Sequence, residues 1–208
     1  MWSLIEEFDI SLKIVQDLLA GIKSDIKDKV LLNSKKELLI YSYRVAGTVG
    51  LMMAKILKVD KKNSLKSAID LGIAMQLTNI SRDVIEDSKN NRFYINRDFR
   101  EISSTINLAD SFYQNSFYSI KNIPISFRFS ILVARRVYRK IGRKILSKKN
   151  LENYQNSGKI YVSNIEKLLE TFLSIFDLVR LSLTVKNEDR IQHDHVLINE
   201  EINLDERI

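Results

Sequence analysis

The sequence contains no cysteine, a single proline (Pro124) and only six glycines among its 208 residues. Without cysteine, zinc, iron–sulfur and thiol chemistry lose their usual ligands, since the only histidines are His193 and His195. Any metal site is therefore expected to use oxygen ligands. Because strands and tight turns need many turn residues, this composition predicts an all-α protein.

Long apolar runs are absent as well. The longest uncharged stretches, 45–54 and 71–81, are shorter than the roughly eighteen residues that a membrane-spanning helix needs. The N-terminus lacks the basic and then apolar order of a signal peptide, and the lack of cysteine suits a reducing compartment. We expect a cytoplasmic protein, with peripheral contact at the inner face of the membrane as an alternative.

Basic residues outnumber acidic ones, and they do so unevenly. The net charge is +7, but acidic residues gather after Lys186, and the chain before it has 30 bases and 19 acids. Residues 121–149 alone carry ten bases and no acid. Such a run can bind nucleic acid or anionic lipid. Its apolar residues keep helical spacing, so we interpret it as a core helix with a cationic outer face and expect no nucleic acid partner.

Apolar periodicity predicts long helices in one domain. Ser3 and Ser34 each begin the S-x-x-E pattern of a capping box, and Gly21 is a candidate helix stop. The polar segment 88–104 is predicted to be a loop. The predicted helices cover residues 3–19, 34–58, 64–85, 105–121, 124–148 and 160–183. A single helical domain is thus expected over residues 1–185, followed by a loose acidic tail over residues 186–208.

The stretch "AMQLTNISRDVIED", residues 74–87, puts polar residues into a helix that otherwise looks buried. At 100° per residue, four of them fall within a stripe roughly 80° wide. They are Gln76, Asn79, Asp83 and Asp87. A solvated face is the simplest interpretation, but the apolar residues on most other sides favour a buried helix whose carboxylates need partners. Magnesium would satisfy Asp83 and Asp87, one turn apart, while Arg82 and Arg92 could neutralise a bound anion.

A second stretch, "YSYRVAGTVGLMM", residues 41–53, combines one polar face with small residues. Tyr41, Arg44, Thr48 and Met52 share that face, and glycines at 47 and 50 allow a neighbouring helix to approach closely. The pattern is compatible with a binding face and equally with tight packing around a core tyrosine.

Together with "DLGIAMQLTNISRDVIEDSKNNRFY", this second stretch closely resembles the signature motifs of the squalene/phytoene synthase family, and of its phytoene synthase branch in particular. Weaker likeness continues through "ADSFYQNSFYSIKNIP", "ARRVYRKIGRKI" and "GKIYVSNIEK". The resemblance implies an all-α isoprenoid-synthase-type bundle with a central apolar cavity. It also implies a magnesium-dependent, head-to-head condensation of two prenyl diphosphates, such as geranylgeranyl diphosphate, through a cyclopropylcarbinyl diphosphate. Manganese is an alternative metal, and no NADPH is expected because no G-x-G-x-x-G motif follows a strand.

The resemblance also assigns roles to residues. Asp83 and Asp87 match the family's second aspartate-rich motif and would hold the metal. Tyr41 matches a tyrosine placed for proton handling or diphosphate contact near the first cation. The other positions that the resemblance places on the substrate side are Gln76, Asn79, Arg82, Arg92, Val45, Ala46 and Tyr161.

One part of the family pattern is missing from the sequence. Members carry a first aspartate-rich motif upstream of the tyrosine that Tyr41 matches, whereas the acids upstream of Tyr41 look isolated here. The aspartates among them are Asp9, Asp17, Asp25 and Asp28. We therefore expect a helical bundle that lacks its N-terminal helices. In addition, Asn91 replaces a glycine that is usual in the family.

Two hypotheses about function remain open. The chain is either a phytoene-synthase-like prenyltransferase of carotenoid and isoprenoid biosynthesis, or a catalytically inactive relative that acts as a binding or assembly protein. As an enzyme it would be a truncated product or the C-terminal half of a split enzyme. The missing motif would then come from an upstream-encoded partner or from a homo-oligomer. An incomplete bundle should also expose apolar surface, which predicts self-association or a partner.

Overall fold

The computed structural model describes residues 2–184 and 193–208, apart from the side chains of Trp2 and Leu4. Helices dominate, which confirms the all-α prediction; the one strand pair among these residues joins β1 (Val30–Leu31) to β2 (Arg92–Phe93) in parallel. The α-helices are α1 (Trp2–Glu7), α2 (Leu12–Ser24), α3 (Lys35–Ser42), α4 (Thr48–Ile56), α5 (Lys62–Lys89), α6 (Phe99–Phe117), α7 (Ile125–Leu146), α8 (Leu151–Asn156), α9 (Asn164–Leu183) and α10 (His195–Asn199). A π-helix (Tyr43–Gly47) joins α3 to α4, and short 3-10 helices are formed by Tyr118–Asn122 and Leu204–Glu206.

Helix α5 is the centre of the bundle. It packs against α4, α6, α7 and the π-helix. Its inward side chains are almost fully buried and include Ile69, Ile73, Leu77, Ile80 and Val84. Burial of each such side chain contributes about 1.5–3 kcal/mol to stability. The helix therefore holds its neighbours in place, and with them the polar stripe on its C-terminal half.

Helix α5 touches the π-helix and α4 through backbone at two glycines. A Cβ added at Gly72 would lie 2.2 Å from the backbone oxygen of Ala46, and one added at Gly50 would lie 2.2 Å from that of Ala68. No side chain fits between backbones at this separation. The small residues of the second stretch therefore serve tight packing.

The N-terminal region differs from the prediction. The predicted helix 3–19 is divided into α1 and α2, because Asp9 has a φ of 49°, which a continuing helix cannot accommodate, and Ser11 caps α2 through its side chain. Gly21 lies inside α2 and does not end it.

The predicted loop 88–104 is also shorter than expected. Helix α5 continues to Lys89 and α6 begins at Phe99, since polar residues are compatible with the exposed ends of helices. The short helix α8 was not predicted. It begins after Asn150, whose side chain accepts a hydrogen bond of 2.8 Å from the backbone nitrogen of Asn153. Its buried Tyr154 donates from its hydroxyl to backbone oxygens of α5.

The C-terminal segment, residues 193–208, was expected to be loose and is instead packed onto the bundle. Ile198, Ile202 and Leu204 are buried. Ion pairs tie the segment to the body of the protein: Lys13–Glu206, Asp17–Arg207, Lys35–Asp194, Lys36–Glu200, Arg44–Glu201 and Lys66–Asp205. The reason is electrostatic, because an acidic segment finds many bases on this body. Residues 186–192, which belong to the same predicted tail, lie outside the described residues.

No helix within residues 2–184 and 193–208 has the length and apolar character needed to cross a membrane.

The crossing at Gly72 gives a test of the packing. Gly72→Ala should lower the free energy of unfolding by about 2 kcal/mol, because the new Cβ meets backbone that cannot move independently. Gly142→Ala is the matched control: it lies within α7, and its Cβ would meet only side-chain carbons of Ile106, at 3.1 and 3.5 Å. Urea unfolding of both variants measures the difference. Equal effects would show that the backbone contact does not govern the packing.

Candidate active site

An apolar cavity of 390 Å³ lies between α4, α5, α7 and the end of α6. Gln76 and Asn79 of α5 line it together with Val45 and Ala46 of the π-helix, so four of the residues predicted on the substrate side meet here. Val49 and Met53 also line the cavity and are 43% and 51% exposed, which shows that its wall is open on the α4 side. Tyr138 of α7, which the sequence reasoning did not single out, also lines the cavity.

Asn79 carries a buried polar atom without a partner. Its Oδ1 accepts no hydrogen bond from any described residue. Leaving such an oxygen unsatisfied costs about 1–3 kcal/mol. The site therefore favours a ligand that offers a donor or a cation at this point.

Asp83 lies one turn further along α5 and is held by cations. Both of its carboxylate oxygens accept from Arg82, one of them from Nε at 2.8 Å, and Lys159 Nζ is 3.7 Å from Oδ1. The carboxylate raises the pKa of the Arg82 guanidinium. Asp83 is thus neutralised within the protein as it stands.

Asp87, one more turn along the same face, is not neutralised in this way. It is half-buried and forms no hydrogen bond or ion pair with any of the described residues. Burial raises its pKa to about 6, and repulsion from Asp83 and Glu86 adds to this, while Arg92 acts in the opposite direction. A carboxylate in this state favours a bound cation.

Tyr41 belongs to a hydrogen-bond network that includes Asp25, a residue to which the sequence analysis gave no role. Its hydroxyl donates to Asp25 Oδ2 at 2.8 Å, and the hydroxyl of Tyr94 donates to Asp25 Oδ1 at 2.9 Å. The two rings stack with centroids 4.7 Å apart. Burial raises the pKa of Tyr94 to about 12 and raises the pKa of Tyr41 further. Both tyrosines therefore keep their protons at neutral pH.

The sequence suggested that Asp25 is isolated from other acidic residues. In the structure it is not. Its charge contributes to the raised pKa of Asp87. The pairing of β1 with β2 brings the segment after α2 next to the segment after α5, and Arg92 Nη2 donates to the backbone oxygen of Asp25 at 3.0 Å. Asn91, at the turn before β2, has a φ of 57°, the left-handed conformation that suits glycine.

Two further residues lie beside the acidic end of α5. Lys159 Nζ forms an ion pair with Glu86 at 2.7 Å as well as approaching Asp83. Tyr161 is 71% exposed and lines a separate groove with Arg82 and Lys159. The structure therefore places Tyr161 outside the cavity. Lys159 lies in the stretch "GKIYVSNIEK", but the sequence suggested no role for it, because it lies far from α5 along the chain.

The oxygen donors of this region fit magnesium. Among the residues that the structure describes, no three acidic or histidine side chains cluster closely enough to hold a metal ion by themselves. Magnesium, however, usually takes one or two carboxylates and completes its shell with water and substrate phosphates. Asp87, and Asp83 once released by Arg82, supply such a pair, and the unpaired Oδ1 of Asn79 lies on the same face.

Comparison with known proteins shows what the chain is similar to. A model of the squalene/phytoene synthase family matches residues 2–101. The 15-cis-phytoene synthase of Enterobacter agglomerans is 34% identical over 151 residues, which are 62% of this chain and 51% of that protein. The phytoene synthase of Cereibacter sphaeroides is 32% identical over 69% of this chain and 46% of its own length.

The chain is thus similar to members of the squalene/phytoene synthase family. It spans about half the length of the curated family members that it matches. A crystal structure of a dehydrosqualene synthase in complex with ligand is similar with a TM-score of 0.67 and 25% identity, over 83% of this chain and 67% of that chain. The predicted isoprenoid-synthase-type helical fold is thereby confirmed, and the polar stripe of α5 lies in the half of the chain that the family model covers.

The raised pKa of Asp87 predicts a pH-dependent effect on stability. Between about pH 4 and pH 6, the folded protein holds a proton that the unfolded chain has lost, so stability falls as the pH rises through this range. Asp87→Asn removes this loss. In the presence of a chelator, it should raise the melting temperature at about pH 7 and leave it unchanged near pH 4.

Asp60→Asn is the matched control, since Asp60 is exposed and forms no ion pair with any residue that the structure describes. It should change the melting temperature by the same small amount at both pH values. If Asp87→Asn behaved like this control, the carboxylate of Asp87 would not be disfavoured in the folded state.

Proposed function

We propose that this chain takes part in phytoene-synthase-like prenyl transfer, the head-to-head condensation of two prenyl diphosphates through a cyclopropylcarbinyl diphosphate. Geranylgeranyl diphosphate is the substrate we favour, and carotenoid or isoprenoid biosynthesis is the setting. The observation that carries the proposal is the unpaired carboxylate of Asp87, two turns beyond the cavity-lining Asn79 on one face of α5. An apolar cavity that leads to acidic and cationic groups suits a substrate with an apolar chain and a charged head.

The cavity supports a prenyl chain as the apolar part of the ligand. Its volume of 390 Å³ falls in the lower part of the range of roughly 300–1,000 Å³ for small-molecule sites. Because the wall beside Val49 and Met53 is open, a second prenyl chain would need further polypeptide to enclose it. Exclusion of water matters here, since an allylic cation reacts readily with it.

The charged head would lie at the C-terminal half of α5. Asp87 and Asp83 would hold magnesium, or manganese as the alternative, and the bound metal would neutralise the diphosphate as it leaves. Arg82, Arg92 and Lys159 are the cations available for the phosphate oxygens. Arg82 would exchange its bond to Asp83 for one to phosphate, since a guanidinium binds either anion in the same bidentate way.

Tyr41 would act with its proton in place. The raised pKa and the bond to Asp25 make it a poor base at neutral pH. Its ring, stacked on Tyr94, offers electron density to a nearby cation, and its hydroxyl remains oriented by Asp25. We therefore assign Tyr41 a role in positioning and cation stabilisation at the acidic end of α5.

A partner is part of the proposal. The described residues contain one acidic stripe, whereas the family pairs two aspartate-rich motifs across the site. We propose that a separately encoded chain or a second copy of this one supplies the other motif and closes the cavity. We further propose a cytoplasmic protein that contacts the inner face of the membrane.

A catalytically inactive binding or assembly protein is the second candidate. The bidentate bond between Arg82 and Asp83 favours it, because an acid neutralised inside the protein is not free to hold metal. In that case the cavity would bind prenyl diphosphate without converting it.

An activity assay separates the two candidates. Protein incubated with geranylgeranyl diphosphate and magnesium, with and without the protein encoded upstream, should form a condensed hydrocarbon product in at least one arm. Asp87→Asn should lower the rate about 100-fold or more, as expected for loss of a group that stabilises charge at the reacting centre. Product is quantified by chromatography of the organic extract.

Glu86→Gln is the matched control, because Glu86 lies next to Asp87 on α5 but points to the exposed Lys159. It should leave the rate within about threefold of the original. Binding of geranylgeranyl diphosphate without product in either arm would favour the inactive relative. A rate that Asp87→Asn leaves unchanged would remove Asp87 from the mechanism.

A further inference from the structure

A second cavity, of 350 Å³, lies between the C-terminal end of α6, the 3-10 helix that follows it, α7 and α9. Arginines line it, namely Arg135, Arg136 and Arg139 of α7 and Arg180 of α9. None of the described residues around it is aliphatic, and none of them lines the apolar cavity beside α5 or the groove of Tyr161. The second cavity is therefore cationic and distinct from the candidate active site.

Two of these arginines are neutralised by acids. Arg136 donates from Nε to Glu170 at 2.8 Å and from Nη1 to Asp177 at 2.9 Å. Arg139 Nη2 lies 2.6 Å from a carboxylate oxygen of Asp110. Since three acids compensate these two arginines, attraction for an anion has to come from Arg135 and Arg180.

Arg135 is a buried cation without an acid partner. It is only 4% exposed, and its Nε and Nη2 both donate to the backbone oxygen of Tyr113, at 3.0 and 2.9 Å. These bonds cap the C-terminal end of α6, but Nη1 forms no hydrogen bond within residues 2–184 and 193–208. Burial lowers the pKa of Arg135 to about 10, and repulsion from Arg139 adds to this, while Asp177 and Asp110 act in the opposite direction. Because a buried charge is costly unless it is paired, an anion in the cavity would stabilise this guanidinium.

Arg180 brings a second uncompensated charge to the same place. It donates from Nη2 to the hydroxyl of Tyr118 at 3.1 Å and forms no ion pair with any acid in the described part of the chain. Its guanidinium lies 5.4 Å from the centre of the Phe117 ring, and that of Arg135 lies 4.7 Å from the same centre. The ring attracts both cations through its π electrons. Two uncompensated guanidiniums from different helices are thus held around one ring at the wall of the cavity.

We propose that this cavity binds a phosphate group, either as the free anion or in a small phosphomonoester. A guanidinium presents its donors as a planar fork, so Arg135 and Arg180, which come from α7 and α9, suit an anion whose oxygens point in more than one plane. A tetrahedral phosphate group has such oxygens, whereas a carboxylate has two oxygens in a single plane. Its charge of about −1.5 to −2 at pH 7 also matches two uncompensated bases. The proposal is independent of the proposed function, because it uses no residue of the candidate active site.

Isothermal titration calorimetry with inorganic phosphate tests this site in the full chain. A chelator is present at constant ionic strength, so that no metal draws the anion to Asp83 and Asp87. Phosphate should bind, and Arg180→Gln should weaken its binding about tenfold or more, because a charge-assisted hydrogen bond is lost. Arg180→Lys keeps the charge without the planar fork and should recover part of the affinity. Added salt should weaken binding in the unsubstituted protein.

Arg143→Gln is the matched control, because Arg143 is also exposed, forms no ion pair with a described residue and does not line the cavity. It should leave the affinity within about twofold of the original. Arg92→Gln, at the acidic end of α5, should also leave it unchanged. A loss of affinity in Arg92→Gln and not in Arg180→Gln would overturn the proposal, as would absence of phosphate binding.

Two further titrations identify the ligand class. Malonate, a dicarboxylate, should bind at least about tenfold more weakly than phosphate, and equal binding would overturn the assignment to phosphate. Glycerol 3-phosphate separates the two sources of the group. Tighter binding than that of inorganic phosphate would support a phosphomonoester as the ligand, and weaker binding would support the free anion. Loss of this site would leave the prenyl transfer assay unaffected, so the two proposals fail separately.

Discussion

Contact between backbones at Gly50 and Gly72 is the constraint on which the rest of the structure depends. With Gly72 against Ala46, α5 cannot rotate or shift relative to the π-helix and α4. The orientation of α5 in turn decides which of its side chains face the core and which face the cavity. Ile73 and Leu77 are buried on one side, and Gln76 and Asn79 line the cavity on the other. The fixed crossing thus places Gln76 and Asn79 on the wall of the cavity.

Asp87 differs from the other buried acids of the protein, because it has no partner among the described residues. Other buried acids have partners: Asp17 binds Arg207, Asp70 binds His195 and Glu170 binds Arg136. A buried charge is costly unless it is paired, and this fold pairs such charges even across distant parts of the chain. An unpaired, half-buried carboxylate in such a protein is better explained by a ligand than by packing.

Sequence patterns could predict those parts of the structure that depend on residues close together in the chain. The apolar period placed α5, α7 and α9 within a few residues of their ends, and the stripe from Gln76 to Asp87 follows from helix geometry alone. The role of Asp25 could not be predicted in this way, since it depends on a two-residue strand pair that joins residues about sixty positions apart. Lys159 and the docked C-terminal segment were missed for the same reason, because ion pairs between distant residues leave no periodic signal.

The C-terminal segment also decides where the positive charge of the protein remains. Its acids neutralise Lys13, Lys35, Lys36, Arg44 and Lys66, which belong to α2, α3, the π-helix and α5. The bases of α7 have only the three acids of α9 and Asp110 of α6 as carboxylate partners among the described residues. Residues 121–149, which carry ten bases and no acid, therefore keep an excess of positive charge. An even spread of the same charge would leave no preferred side for an anion, whereas an excess on one helix and the turn after it attracts anions to that part of the surface.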